Sequence, residues 1–196
     1  MNPTELNELL HYIDSLRGTL YKWWLEGETG EGGPFYAADE PLPTPANIRA
    51  QGLNCAGFIN LLRRFRKYPI PGVKEGLWNA GGTYVWFRSL QAEGLLEPFN
   101  PSFPYPPGTL LLRDYTSVFD QGHLAVVLHN NQIAHCYPDD PIPRANVFVE
   151  PGLRIEPLAL SMNWDSKGFY THICRPENWI TRKLEAQPCK TMSQIE

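Results

Sequence analysis

The sequence predicts an α+β fold, with N-terminal helices packed on a C-terminal antiparallel β-sheet, and three observations predict it. Apolar residues recur at helical spacing through the first part of the chain and in short β-like runs after it. The 19 Pro and 16 Gly among 196 residues require many turns and long connections, which disfavours an all-α bundle. Hydrophobic residues at 42% and charged residues at 19% supply a sizeable core and exclude general disorder. At this length one domain is expected over 1–184, followed by a polar, frayed tail over 185–196.

The first helix is predicted from residue 4 to about 17, with Leu6, Leu9, Leu10, Ile13 and Leu16 on one face, Thr4 as N-cap and Gly18 at the end. A long connection follows from Glu26 to Gln51, rich in Gly, Pro, Asp and Glu, of the kind that compact domains reserve for walling or covering a site. CAGFINLLRRFRK reads as a second helix with Cys55 at its N-terminus. It turns Phe58, Leu61, Leu62 and Phe65 inward and Arg63, Arg64, Arg66 and Lys67 to solvent. A third helix runs from Thr83, read as a cap, to Gly94, with Val85, Trp86 and Leu90 inward. After a proline-rich loop from Pro98 to Pro107, the strands are TLLLRDY, GHLAVVLH, QIAHCY, NVFVE, LRIEPL and FYTHIC.

Charge narrows the partners. With 17 Lys and Arg against 21 Asp and Glu, the net charge of −4 lacks the positive field that a phosphate backbone requires, so nucleic acid is not expected. Apolar runs such as Leu124 to Leu128 fall far short of the ~20 residues that span a bilayer, so no membrane insertion is expected. The first residues carry acidic groups in place of the basic and apolar regions of a secretory signal, which predicts a cytoplasmic site of synthesis. Cys55, Cys136, Cys174 and Cys189 form no C-x-x-C pair and read as free thiols.

Two segments carry chemistry together: Asn54-Cys55-Ala56-Gly57 opens a helix, and Gly122-His123-Leu124-Ala125 opens a strand. A helix N-terminus and a nearby imidazolium both depress a thiol pKa, so the pair reads as nucleophile and base. His135 is the candidate for holding the second nitrogen of His123. Their relation turns on the loop at His129-Asn130-Asn131. A two-residue turn pairs His135 with Val126, facing away from His123, whereas a three-residue loop pairs it with Ala125, on the face of His123. Each of these residues also has a structural reading, Cys55 as a small buried side chain and the histidines as partners of backbone groups. A hairpin zinc site from His123, His129, His135 and Cys136 matches no structural zinc spacing, and Cys136 as nucleophile would lack a helix dipole; neither a metal nor a cofactor is expected. Trp23, Trp24 and Trp86 read as packing residues.

The order of these parts resembles the NlpC-type cell-wall peptidases, which are papain-like cysteine peptidases. Gly18 to Trp23 is similar to the family's early Tyr-x-Trp element, Asn54-Cys55-Ala56-Gly57 to its Asp-Cys-Ser-Gly helix start, and Pro107-Gly108-Thr109-Leu110 to its Pro-Gly-Asp-Leu strand. Gly122 to Val127 is similar to its Gly-His-Val-Gly-Ile-Tyr strand, and His135 falls on its third polar residue. The resemblance implies a papain-like fold, with Cys55 as nucleophile, His123 as general base, His135 as orienting residue, and Tyr21, Asn54 and Ala56 against the substrate. It also implies cleavage of an amide in a peptide or peptidoglycan fragment, without a cofactor. Asn54 and Ala56 depart from the family's acid and serine, and a neutral Asn offers no countercharge to a free amine. Intracellular proteases, deconjugating enzymes and acyltransferases with the same triad are therefore alternatives, as is a catalytically silent binding module. Delivery by lysis, by a phage or through specialised secretion, or a viral origin, would bring a peptidase without a secretory signal to a cell wall.

Overall fold

The computed structural model describes residues 1–22, 42–72, 80–114, 116, 122–138, 151–161, 169–182 and 184. Trp23, Trp24, residues 26–41, the expected strand NVFVE at 146–150, Cys189 and the tail over 185–196 lie outside the described residues.

The first helix, α1 (Pro3–Ser15), starts one residue earlier than expected. Asn2, not Thr4, is the cap: its side chain accepts from the Glu5 N–H at 2.9 Å, and its own N–H donates to the Glu5 carboxylate at 2.9 Å. Pro3 at the first helical position has no N–H to leave unpaired. A second helix, α2 (Pro45–Gln51), occupies the end of what was expected to be irregular connection. Thr44 caps it through Asn47 at 3.2 Å, again with Pro at the first position. The cysteine helix is α3 (Cys55–Phe65), and α4 (Thr83–Ala92) follows Gly81-Gly82. Gly82 is the N-cap of α4 and makes no side-chain cap, which places Thr83 inside the first turn and releases its hydroxyl for another partner.

One face of α3 departs from expectation. Arg63 is fully buried, donating to the backbone carbonyls of Pro69, Trp179 and Arg182, with its guanidinium over the Trp86 ring. Burial lowers its pKa to about 10. Arg66 is also largely covered and pairs with Glu5 and Glu8 of α1. The run of basic residues is therefore split among a buried clamp at Arg63, an interhelical bridge at Arg66 and an exposed Lys67, and is not a uniformly solvated face.

The strands are β1 (Glu97–Pro98), β2 (Leu110–Arg113), β3 (His123–Val127), β4 (Gln132–Tyr137), β5 (Gly152–Pro157) and β6 (His172–Cys174), with short helices α5 (Leu158–Ser161) and α6 (Pro176–Trp179). They form one sheet in the order β1-β6-β2-β3-β4-β5, antiparallel at every pairing. The chain is thus an α+β protein. Leu110, Leu112, Leu124, Val126, Ala134 and Cys136 pack with α1, α3 and α4 in the larger core. Leu111, Ala125, Val127, Ile133 and Ile173 point the other way, into a smaller core with Phe169 and Tyr170. Because both faces are covered, β3 is buried at every position and reads as a continuous apolar run. Each fully buried Leu contributes roughly 1.5–3 kcal/mol. Among the described residues, no helix is long and apolar enough to cross a membrane.

Candidate active site

Asn54 starts the site. Its side-chain oxygen accepts from the Gly57 N–H at 2.6 Å, capping α3 and leaving Cys55 as the first helical residue, where backbone N–H groups have no intrahelical partner. The approach to this cap is stitched down by the Leu53 N–H donating to Leu20 at 3.0 Å and the Lys22 N–H donating to Leu53 at 2.8 Å. The Cys136 thiol donates to the same Leu53 carbonyl at 3.1 Å. On the opposite side, Asn60 of α3 holds the start of α4, donating to the Gly81 carbonyl at 3.2 Å and accepting from the Trp86 indole at 2.8 Å. These ties bring Thr83 Oγ1 to 3.8 Å from Cys55 Sγ.

The partly exposed Cys55 sulfur also receives the backbone N–H of Leu124, the residue after His123. Sheet register explains how that N–H comes to point there. Val127 donates to Thr109, so alternation turns the Leu124 N–H away from β2 and toward β4. The β3–β4 ladder pairs Val127 with Ile133 and Val126 with Ala134 and then stops. The Leu124 N–H, which the same register would have set against Cys136, serves the Cys55 sulfur instead. The helix start and the strand start therefore meet. Burial nonetheless raises the Cys55 thiol pKa, outweighing the Thr83 hydroxyl, the Leu124 and Ala56 N–H groups and Arg113, which all lower it. The depressed thiol that helix position alone predicts is not what this resting geometry gives.

The histidines meet as the longer loop requires. Leu128 donates to Gln132 at 2.7 Å, closing a three-residue loop over His129–Asn131 in which Asn130 and Asn131 both take φ 57°. His135 is thereby set opposite Ala125, on the face of His123, and His123 Nε2 lies 2.9 Å from His135 Nδ1. His135 Nε2 in turn lies 3.2 Å from Glu156 Oε1 of β5. Tyr137, Phe169 and Tyr170 ring His123 at centroid distances of 5.0, 5.1 and 6.2 Å, and both imidazoles are buried. Burial, then His135 and then Arg113 hold the His123 pKa well below its ordinary value. Gly122 makes the approach to this strand possible: at φ +75° a Cβ there would collide with the Arg113 carbonyl.

Of the six expected site residues, His123 and His135 are in contact, and Tyr21 and Cys55 are neighbours: burial first, then the charges of Cys55, Cys136 and Tyr137, push the Tyr21 phenol far up. Asn54 has its side-chain oxygen committed to the cap, and Ala56 is buried in the larger core. Among the described residues, no hydrogen bond joins Cys55 to the His123 ring, which faces the smaller core while α3 packs on the larger one. His135 and Cys136 point to opposite faces, as strand alternation requires. No group of three or more His, Cys, Asp or Glu able to hold a metal occurs among the described residues. Thr83 and Glu156 were missed from the sequence. The first carried a signal, a Thr directly after Gly-Gly at a helix start, whereas the second is visible only once β4 and β5 are aligned. Comparison with protein-family models and with curated proteins finds no match for the chain.

Proposed function

We propose that this chain is a cysteine hydrolase of papain-like packing that cleaves an amide through a thioester acyl-enzyme. The observation that carries the reading is the 2.9 Å contact between His123 and His135, on a strand whose next N–H reaches the Cys55 sulfur. Burial leaves both the thiol and the imidazole neutral at rest, and the two are not hydrogen-bonded among the described residues, so the reading requires the His123 ring to turn toward the sulfur and take the thiol proton as sulfur attacks the carbonyl carbon. The oxyanion is held by the Cys55 N–H at the helix start and by the Tyr21 hydroxyl, which burial keeps protonated. The C–N bond then breaks as His123 returns the proton to the leaving amine. Water, deprotonated by His123, adds to the thioester, and expulsion of the Cys55 sulfur, which regains a proton, releases the acid.

The resemblance to cell-wall peptidases supports a peptidoglycan stem peptide as substrate. The commitment of Asn54 to the cap supports a substrate without a free amino end, such as an isopeptide or an internal protein amide. The test incubates the protein with a muropeptide digest and with a panel of protein and isopeptide substrates. Turnover of one panel that falls by ~10³-fold or more in Cys55→Ala is expected; turnover unchanged in that variant overturns the reading. The second reading, a silent binding module on the same fold, is favoured by the absence of a Cys55–His123 hydrogen bond among the described residues. It predicts no turnover on either panel.

A further inference from the structure

β2 ends where the candidate site begins. Its last residue, Arg113, pairs with His123, and the residue before it, Leu112, pairs with Leu124, whose N–H serves the Cys55 sulfur. Directly paired residues of an antiparallel ladder share a face, so Arg113 lies on the face of the His123 ring. The two strand ends are pressed together: a Cβ at Gly122 would come within 2.4 Å of the Arg113 carbonyl. The Arg113 side chain is partly exposed, and its guanidinium carbon stands 4.6 Å from the centre of the Phe169 ring, itself 5.1 Å from that of His123. Contact with a ring uses the charge of a guanidinium and not its N–H donors. There are five of these, and a carboxylate takes two at once.

Charge then decides what the site attracts. Asn54, next to the nucleophile, is neutral and committed to the cap of α3. Asp114, which follows Arg113, lies 3.3 Å from Arg88, and Glu156 lies 3.2 Å from His135. Arg113 bears on both reacting groups, since its charge lowers the pKa of the Cys55 thiol and of the His123 ring. A positive group felt at nucleophile and base alike repels an ammonium and attracts an anion.

We propose that Arg113 is a specificity-determining residue that holds a carboxylate of the substrate beside the scissile amide. This rests on the hydrolase reading for the bond that is cut, whereas the attraction of a carboxylate to the Cys55 sulfur exists without turnover. The probes are iodoacetate and iodoacetamide, which are nearly equal in size and differ in charge. With either, the Cys55 sulfur bonds to the methylene carbon as iodide leaves, and the thiol proton passes to solvent. Rates are read at the Cys55 peptide by mass spectrometry, after reaction of the folded full-length protein at pH 8, for the unmodified chain, Arg113→Gln and Arg154→Gln. The iodoacetate-to-iodoacetamide ratio is set against that of N-acetylcysteinamide, an uncharged thiol. A change in thiolate fraction slows both reagents alike and cancels in the ratio. In the unmodified chain the ratio should exceed that of the free thiol by about 10-fold or more, and Arg113→Gln should return it to the free value. Arg154→Gln, which removes a charge three strands away on β5, should leave it high. A ratio in the unmodified chain no higher than that of the free thiol overturns the proposal even if neither variant folds. So does a ratio that survives in folded Arg113→Gln or falls equally in Arg154→Gln. Where either substrate panel is turned over, kcat/KM should be higher for a glutamate than for a glutamine beside the scissile bond, or for a free carboxyl end than for its amide. The pair that separates names the source of the carboxylate, and equal rates within both pairs overturn the proposal. A raised iodoacetate ratio in a chain that turns over neither panel removes the hydrolase reading and leaves the carboxylate site standing.

Discussion

At the scale of single residues, Cys55 carries two opposed influences. Helix position and three hydrogen-bond donors favour its thiolate, and burial disfavours it more. Sequence shows the first influence and is blind to the second, because desolvation depends on what the fold stacks over the sulfur. The alkylation rate of Cys55 by a small neutral reagent should therefore inflect at a higher pH than for an ordinary thiol near 8.5. Removing the Thr83 hydroxyl removes a stabiliser of the thiolate, so Thr83→Val should raise the inflection further and slow alkylation at pH 8 by roughly 3–10-fold. A faster reaction in Thr83→Val would show that the hydroxyl does not bear on the sulfur. His123 and His135 were legible because strand alternation and loop length are countable. Glu156 was not, because its partner is 21 positions away on a strand whose register no local pattern sets.

At the scale of elements, periodicity located α1, α3, α4 and the strands from β2 onward, since each buries a regular stripe or run. It missed α2 and β1 for separate reasons. In α2 seven residues with one buried apolar side chain give too little period to stand out from a Pro-rich surround, although the Thr44-Pro45 start was there to see. In β1 a two-residue strand ending in Pro98 exists only because β6 pairs with it. Caps were misjudged where two candidates lay within two residues, as with Asn2 and Thr4, since reciprocal bonding to Glu5 decides between them. The cap of α3 matters most, because it positions Cys55. Asn54→Ala should destabilise the protein by ~1 kcal/mol in denaturant unfolding. Asn54→Asp should keep the bond and gain from the helix dipole, ending at or above the parent stability. Equal loss in both variants would show that the side chain acts through something other than the cap.

At the scale of the whole molecule, the α+β class followed from the order of patterns along the chain, whereas the two-sided covering of the sheet did not. Which face a strand turns to which core is a tertiary choice, and it is this choice that buries both histidines on the side away from α3. That burial couples stability to pH. The folded chain keeps His123 neutral, and the unfolded chain protonates it below about 6.5. Stability should accordingly fall as pH drops below that value, by up to ~1.4 kcal/mol per pH unit from this group, until the depressed folded value is reached. Denaturant titrations at pH 7.5, 6.5 and 5.5 should show the loss, and a His123→Gln variant should show a shallower one. A slope unaltered by that substitution would assign the loss to other groups. Arg63 links the same scale to time. Its carbonyl acceptors at Trp179 and Arg182 lie 116 and 119 residues further along the chain. On the ribosome, the segment bearing Cys55 emerges long before the groups that let its helix seat a guanidinium in the interior. Seating waits for residues 179–182 to dock, so a nascent chain carries its cysteine in an unfinished setting until those residues have emerged.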